Sequence, residues 1–432
     1  MNPVTIGLIG IICLLILLFM RVWVGAAMAI VGVVGLIAMR GVSQALAVAG
    51  SFPFNELNKY SMTAIPMFAL MGMIISETNL GRDLYAAAHK TVGSAKGGLA
   101  SATVVAGGIL GAICGSENIA TVILTKISYP EMKKLNYSDE LSTAAVAAGA
   151  PLSIIIPPSM PLILYAILTE QSVGSLFIGG IIPGILLIIA FCIVISIRCS
   201  INPALGPRGP KYNVIEQLNA LKGIIPVAIL FVVVLGSIYF GICTTTEAGG
   251  LGVAGAFIIA LVTKQLSGKK FVSIMKESVS VLGMVLTMLV GIFIFVGFIA
   301  LSKVPFWLVD VVGGLDVHRN VILLLIIVMY LILGMLLPQL TIIILTVPIL
   351  FQVVMSLGFD PIWFGVLVVM MQAMGGITPP VGIVAFMVSG ISGVPSFKIF
   401  KGLIPLIFAM LVVVFLICAY PSIITWLPSM MH

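Results

Sequence analysis

The stretch Gly149–Pro161, GAPLSIIIPPSMP, constrains this chain more than any other, because it interrupts an apolar run from Leu141 to Thr169. Pro151, Pro157, Pro158 and Pro161 each lack a backbone N–H and clash with the preceding helical turn. A membrane helix through this run must therefore unwind in its middle and free carbonyl and N–H groups. Lipid satisfies none of them, so irregular backbone at this depth is tolerated only inside protein or beside a wet cavity. The same device returns as Gly375-Gly-Ile-Thr-Pro-Pro-Val-Gly382. Two interrupted apolar helices at matching places in two halves are the sequence mark of a transporter's binding site.

Composition supplies the membrane. The chain is 61% hydrophobic and 8% charged, against about 25% charged residues in soluble domains, and its mean hydropathy is +1.28. The apolar run from Val4 to Met20 has no basic segment before it and no small-residue cleavage site after it, so it reads as a retained span. The six cysteines form no C-x-x-C and mostly sit in apolar runs, where they read as small buried hydrophobes.

A span takes about 20 apolar residues. Single spans are expected at 4–20, 22–39, 62–78, 141–169 and 176–199, then at 223–241, 246–263, 278–300, 361–392 and 403–427. Two further apolar stretches, 97–128 and 320–355, are too long for one span and divide at polar centres into short arms. They read as re-entrant hairpins with tips near Cys114–Asn118 and Gly334–Gln339. The halves repeat at a fixed displacement: Pro157-Pro158 returns as Pro379-Pro380 (379 − 157 = 222), and Gly180-Ile-Ile-Pro183 as Gly402-Leu-Ile-Pro405. Five spans per half is an odd number, so the second half enters from the opposite side. The expected fold is an all-α polytopic membrane protein, an inverted repeat of five spans plus one re-entrant hairpin per half. Residues 1–201 form the first half, 202–222 a Pro/Gly-rich basic linker, and 223–432 the second half.

Charge tests this topology independently. It leaves only Arg40, Lys59, Lys303 and Arg319, 4 of the 21 lysines and arginines, on one side. The rich side, with the linker, is expected in the cytoplasm, and both termini on the periplasmic side of the inner membrane. The segment Gly81–Gly97 is partly amphipathic and reads as an interfacial arm or, more simply, as a helix with a core-facing side.

The first hairpin tip, Gly111-Ala-Ile-Cys-Gly-Ser-Glu-Asn118, collects small and polar groups at membrane depth. Ser116, Asn118 and Thr121 offer neutral oxygens that, with carbonyls freed at a helix break, suit a partly dehydrated Na⁺; Ser and Asn here also suit helix capping. Glu117 is an intramembrane ionisable group, open to a cation, a proton or a cationic solute. The second tip offers Gln339 and Thr341, and the second break offers Thr378 beside Gly375-Gly376. Thr244-Thr-Thr-Glu247 has the pattern of a helix start. Gly250-x-Gly252-x-x-Gly255 lies within an apolar span instead of after a strand, which excludes a dinucleotide site. No H-E-x-x-H, Walker A or G-x-S-x-G is present, so neither hydrolysis of ATP by this chain nor an enzyme is expected. A nucleic-acid partner is not expected either; membrane lipid is.

Over essentially its whole length the chain resembles the large membrane subunit (DctM-like) of tripartite ATP-independent periplasmic, or TRAP, transporters. The resemblance rests on the order of Ala64-Ile-Pro-Met-Phe-Ala-Leu-Met-Gly72, Gly115-Ser116, Tyr129-Pro-Glu-Met-Lys133, Ile156-Pro-Pro-Ser-Met-Pro-Leu162, Gly179-Gly-Ile-Ile-Pro-Gly184, Thr246-Glu-Ala248, Phe359-Asp-Pro-Ile-Trp-Phe-Gly-Val366 and Thr378-Pro-Pro-Val-Gly382. It implies a sodium-coupled importer of elevator type, with hairpins and broken helices as the mobile part. Implied partners are a small four-helix membrane subunit and a soluble periplasmic substrate-binding protein, and the implied solute is a small carboxylate. A stand-alone ion-coupled anion carrier of related fold is the alternative. Joining residues and resemblance, the solute falls to Ser116, Asn118, Pro158, Ser159, Gln339, Thr378 and Pro379. Sodium falls to Ser116, Glu117, Thr121, Pro157, Gly376 and Thr378. Glu117 and Asn118 depart from the small or hydroxyl residues common in the family at those places, and Gln372-Ala-Met from a stretch that often carries an acid.

Overall fold

The computed structural model describes residues 2–78, 80–210, 212–314 and 316–431. Lys211, His432 and the side chain of Cys114, which entered the charge, histidine and cysteine arguments, lie outside the described residues.

In chain order the first half folds as α1 (Pro3–Phe19), α2 (Val24–Arg40), α3 (Val42–Leu57), a 3-10 turn at Tyr60–Thr63, α4 (Ala64–Ser76), α5 (Leu80–Val92), α6 (Gly98–Cys114), α7 (Glu117–Lys134), α8 (Asp139–Gly149), the single turn α9 (Leu152–Ile155), α10 (Met160–Thr169) and α11 (Val173–Ile201). After the linker come α12 (Val214–Leu221), α13 (Ile225–Tyr239), α14 (Thr245–Val262), α15 (Gly268–Ser302), α16 (Val304–Gly313), α17 (Arg319–Leu336), α18 (Gln339–Ser356), α19 (Pro361–Ile377), α20 (Ile383–Ser392), α21 (Ser396–Ala419) and α22 (Ser422–Thr425). No strand occurs among the described residues.

The helices keep the displacement of 222 residues seen in the proline motifs. Pro3 and Ile225 open α1 and α13, Glu117 and Gln339 open α7 and α18, and Asp139 and Pro361 open α8 and α19. Arg40 and Val262 close α2 and α14, and Cys114 and Leu336 close α6 and α17. Both Pro-Pro bonds, Pro157-Pro158 and Pro379-Pro380, are cis.

Among the described residues, seven helical segments are long and apolar enough to cross a membrane, or nine when each of two sharply bent pairs counts as one span. At 17 residues each, α1, α2 and α19 sit at the short end of what spans a bilayer. Three details differ from the sequence reading. First, Val42–Leu57, passed over because Ser43, Gln44, Ser51 and Glu56 dilute its hydropathy, is helical and meets the next helix at a 65° bend. Second, the span expected at 278–300 lies in a helix of 35 residues that begins ten residues earlier, at Gly268, and carries Lys269, Lys270 and Lys276. Third, α17 and α18, expected as short arms, have 18 residues each and are individually long and apolar enough to cross; only Leu337 and Pro338 separate them.

The halves interlock. Helix α2 packs along α15 while α14 packs along α4, and α7 packs on α20 while α18 packs on α10. These are reciprocal pairs under the repeat. Glycines bring the backbones together: a Cβ on Gly291 would stand 2.0 Å from the carbonyl oxygen of Gly25, and one on Gly107 2.5 Å from that of Gly149. Such close approach lets dispersion and packing associate helices where lipid gives no hydrophobic drive. Helix α5 turns Leu84, Tyr85, Ala87 and Ala88 into the core against α6, the simpler of its two readings.

Candidate functional site

The chain breaks its helices at four places that matter. After α6, Gly115 takes a left-handed φ of +56° and passes the chain to Ser116, the N-cap of α7. A Cβ at Gly115 would lie 2.8 Å from the carbonyl oxygen of Pro158, so the first tip rests on the first proline break. That break runs through Pro157, Pro158 and Ser159, all buried. Ser159 caps α10 through Leu162 N–H and donates its own proton to the Ile154 carbonyl. The second tip turns at Leu337-Pro338 into Gln339. The second break leaves Thr378 half-buried and Pro379 and Pro380 exposed.

The tips meet. Gln339 Nε2 donates to Glu117 Oε2, each residue being the first of its helix. Glu117 is 8% exposed, and its Oε1 has no hydrogen-bond partner. The carboxylate faces α19, where a Cβ on Gly376 would stand 3.5 Å from Oε1 and 3.7 Å from Oε2. Gly375, next door, has its Cβ position 2.5 Å from the Cα of Gly334, which presses α19 against α17. One turn before Gly376, Gln372 is fully buried with neither amide atom partnered. Among the described residues Glu117 forms no ion pair.

The hydroxyls around this point have spent their protons. Thr121 Oγ1 donates to the Glu117 carbonyl at 2.7 Å, and Thr378 Oγ1 to the Met374 carbonyl at 2.6 Å. A hydroxyl has one donor and two lone pairs, so each of these presents only lone pairs to whatever approaches. Ser116 is half-buried and makes no side-chain cap bond; Asn118 is exposed. Among the described residues no three His, Cys, Asp or Glu cluster, so a cation here draws on hydroxyls, carbonyls and Glu117.

Of the expected residues, the structure joins Glu117, Gln339 and Gly376 directly, and places Pro158 under the first tip through Gly115. Ser116, Thr121 and Thr378 flank that centre along their helices, while Asn118 and Pro379 sit at exposed positions. Thr244 and Glu247 form a capping box at the start of α14, as the pattern of a helix start predicts, and Thr246 donates to the Tyr60 carbonyl at 3.5 Å. One polar residue was missed, Ser153, and Gln372 was noted only as a departure from the family pattern. Ser153 is buried with an unpartnered hydroxyl, and the Cβ position of Gly111 lies 2.2 Å from its Cα. The repeat carried the signal, since Ser153 and Gly375 are 222 residues apart and both line a tip-bearing helix.

An apolar cleft of about 330 Å³ adjoins the first break, between α4, α6, α11 and α13, lined among others by Met71, Ile156, Pro158, Ile188 and Phe231. Its walls offer a charged solute no partner.

Comparison with known proteins is consistent across the chain. Residues 11–423 match the family described as "Tripartite ATP-independent periplasmic transporter, DctM component". A C4-dicarboxylate TRAP transporter large permease protein, DctM of Pseudomonas aeruginosa, is 30% identical over 377 residues, 87% of this chain and 88% of that protein. The sialic acid TRAP transporter large permease protein SiaM of Vibrio cholerae is 28% identical over 379 residues, 87% of each. Among solved structures, the YdaH transporter of Alcanivorax borkumensis superimposes with a TM-score of 0.67 over 98% of both chains at 13% identity, a likeness of fold.

Proposed function

Since the chain belongs to the DctM-component family of tripartite ATP-independent periplasmic transporters, we propose that it is the large permease subunit that moves a small organic acid inward with Na⁺. It is a membrane transport component and not an enzyme. The carrying observation is the meeting of the two tips at Glu117 and Gln339, against the second interrupted helix at Gly376. Unwound backbone and helix starts at membrane depth are where transporters hold ions and solutes. In this reading Ser116, Glu117, Thr121 and Thr378 supply cation-facing oxygens, with backbone from Pro157 and Gly376. Ser116, Asn118, Pro158, Ser159, Gln339, Thr378 and Pro379 surround the solute.

The working assembly adds a small four-helix membrane subunit and a periplasmic binding protein that delivers the carboxylate. The subunit sits in the inner membrane with its linker in the cytoplasm and both termini outside. The helices α6–α10 and α17–α20 travel as an elevator against the rest. The test is the thermal stability of the purified chain in NaCl against KCl at equal ionic strength. A ligand at 100 times its Kd stabilises by about 2.7 kcal/mol, so a saturable sodium-specific rise is expected, reduced in Ser116→Ala and Thr378→Ala. Identical curves in the two salts would overturn sodium coupling.

A further inference from the structure

The apolar cleft beside the first break has no part in the chemistry of the tips. Its rim is open: Ile185 is 49% and Val232 66% exposed, and Ala228 is exposed as well. Its floor is buried and made by Met71, Ile75, Gly108, Ile156 and Pro158. Apart from the Met71 sulfur, a weak acceptor, no lining side chain has a hydrogen-bonding group, so the cleft gives water nothing to bind. Helices α11 and α13 lie in segments long and apolar enough to cross a membrane. The medium against the rim is then hydrocarbon.

Depth and length match one leaflet. On α13 the lining runs from Ile224 to Val234, about 15 Å at 1.5 Å per residue, half of a hydrocarbon layer roughly 30 Å thick. The shallow end is marked by α12, which bends 55° from α13 and leaves Val214, Ile215, Leu218 and Leu221 exposed. A short helix with such an apolar face lies in the plane of the interface, at the level of the headgroups. Lys222 follows α12, exposed and in no ion pair among the described residues. Arg82 and Asp83 of α5, the latter against Gly223, bring one further charge of each sign. The cleft thus starts at headgroup depth beside a net positive charge and ends near the middle of the bilayer.

Width decides the occupant. A helix with its side chains is about 10 Å across, so 15 Å of it would fill on the order of 1,000 Å³, against about 330 Å³ here. A partner's helix is too thick to enter, whereas a single acyl chain is slender enough. Its presence restores the dispersion contacts that a lining loses when it faces a void.

We infer that the cleft is a lipid site, in which one acyl chain of a phospholipid from the leaflet on the linker's side lies along α13. The phosphate sits at Lys222, and the far end of the chain reaches Ile156 and Pro158. The site does not depend on which ion or solute the tips hold. Pro158 also supports the first tip through its contact with Gly115, so the lipid braces that tip from the membrane side.

The experiment reconstitutes the purified full chain in phospholipid vesicles containing phosphatidylcholine with a photoactivatable diazirine near the end of one acyl chain. Adducts are located by peptide mass spectrometry. They are expected on the buried floor, at Met71, Ile75, Ile156 and Pro158, as well as on outward residues such as Ile193 and Ile197 of α11, which any membrane lipid reaches. Ala228→Trp sets an indole in the cleft and should lower the floor adducts several-fold while leaving those at Ile193 and Ile197 unchanged. The unchanged adducts show that the variant is folded; if they are lost, Ile185→Trp fills the cleft from the opposite wall. Lys222→Glu should also lower the floor adducts. A wild-type floor without adducts, or equal floor adducts in the wild type and a folded filled variant, would overturn the site. Equal adducts in Lys222→Glu would overturn the placement of the phosphate.

Discussion

Glu117 and Gln339 stand 222 positions apart, each opens the second arm of its hairpin, and their side chains are hydrogen-bonded to one another. Equivalent residues of two repeats touch only where the axis relating those repeats passes between them. The contact therefore marks the centre of the repeat, and there the two halves have diverged: an acid on one side, an amide on the other. Identical acids would repel; identical amides would hold no charge for a solute or ion to answer.

That pairing sets the first prediction. Gln339→Leu strips Glu117 of the one side-chain donor it has among the described residues, leaving a buried polar group unmet, at a cost of about 1–3 kcal/mol. Gln339→Glu places two carboxylates together and should cost more still. Chemical or thermal denaturation of the purified variants ranks them, and equal stability of Gln339→Leu and wild type would contradict the contact.

The glycine contact between α17 and α19 gives the second. At Gly375 a Cβ meets the Cα of Gly334 at 2.5 Å, backbone against backbone, with no flexible side chain to yield. Gly375→Val should destabilise by about 1–3 kcal/mol or beyond through overpacking. At Gly250, inside α14, nothing lies within 4 Å of the same position. Gly250→Ala should stabilise by roughly 0.5–1 kcal/mol. The two midpoints should move in opposite directions.

Acidification supplies the third. His89, on α5 outside the spans, has its pKa lowered from 6.5, chiefly by burial and also by Lys90, with Glu131 opposing. Its Nε2 is buried without a partner, and its ring meets that of Tyr212 edge-on at 5.5 Å. The folded state thus binds this proton less readily than the unfolded chain, so the contribution is present above pH 6.5 and is lost as pH falls below it. His89→Gln should melt with a flatter pH dependence between pH 7.5 and 5.5, and an unchanged slope would remove His89 as the cause.

Much of this was legible in one chain. The proline breaks announced themselves because a pyrrolidine cannot sit quietly inside a helix, and the displacement from Pro157 to Pro379 carried on to helix ends far from those two breaks. The hairpin tips stood out by their polar residues. What stayed hidden was pairing across the repeat: nothing local to Glu117 names Gln339 as its partner, and nothing local to Gln372 tells that its amide is sealed in. Val42–Leu57 was missed for a different reason, since its helix is held by packing on α2 and α15 more than by its own hydropathy.

The linker offers the fourth prediction. Asn213 starts α12 with a capping box closed by Glu216, at an exposed site. Asn213→Cys is expected to resist a membrane-impermeant thiol reagent in intact cells and to react once they are opened. Labelling in intact cells would reverse the proposed orientation of the whole subunit.

The repeat has one departure with a mechanical meaning. Where the first half turns through 65° between α3 and α4, the second half runs unbroken as the 35 residues of α15, about 52 Å of helix at 1.5 Å per residue. That beam is longer than the roughly 30 Å hydrocarbon layer and lies against α2 along a glycine seam. The two halves share a plan and differ in stiffness: one carries an elbow and the other a girder.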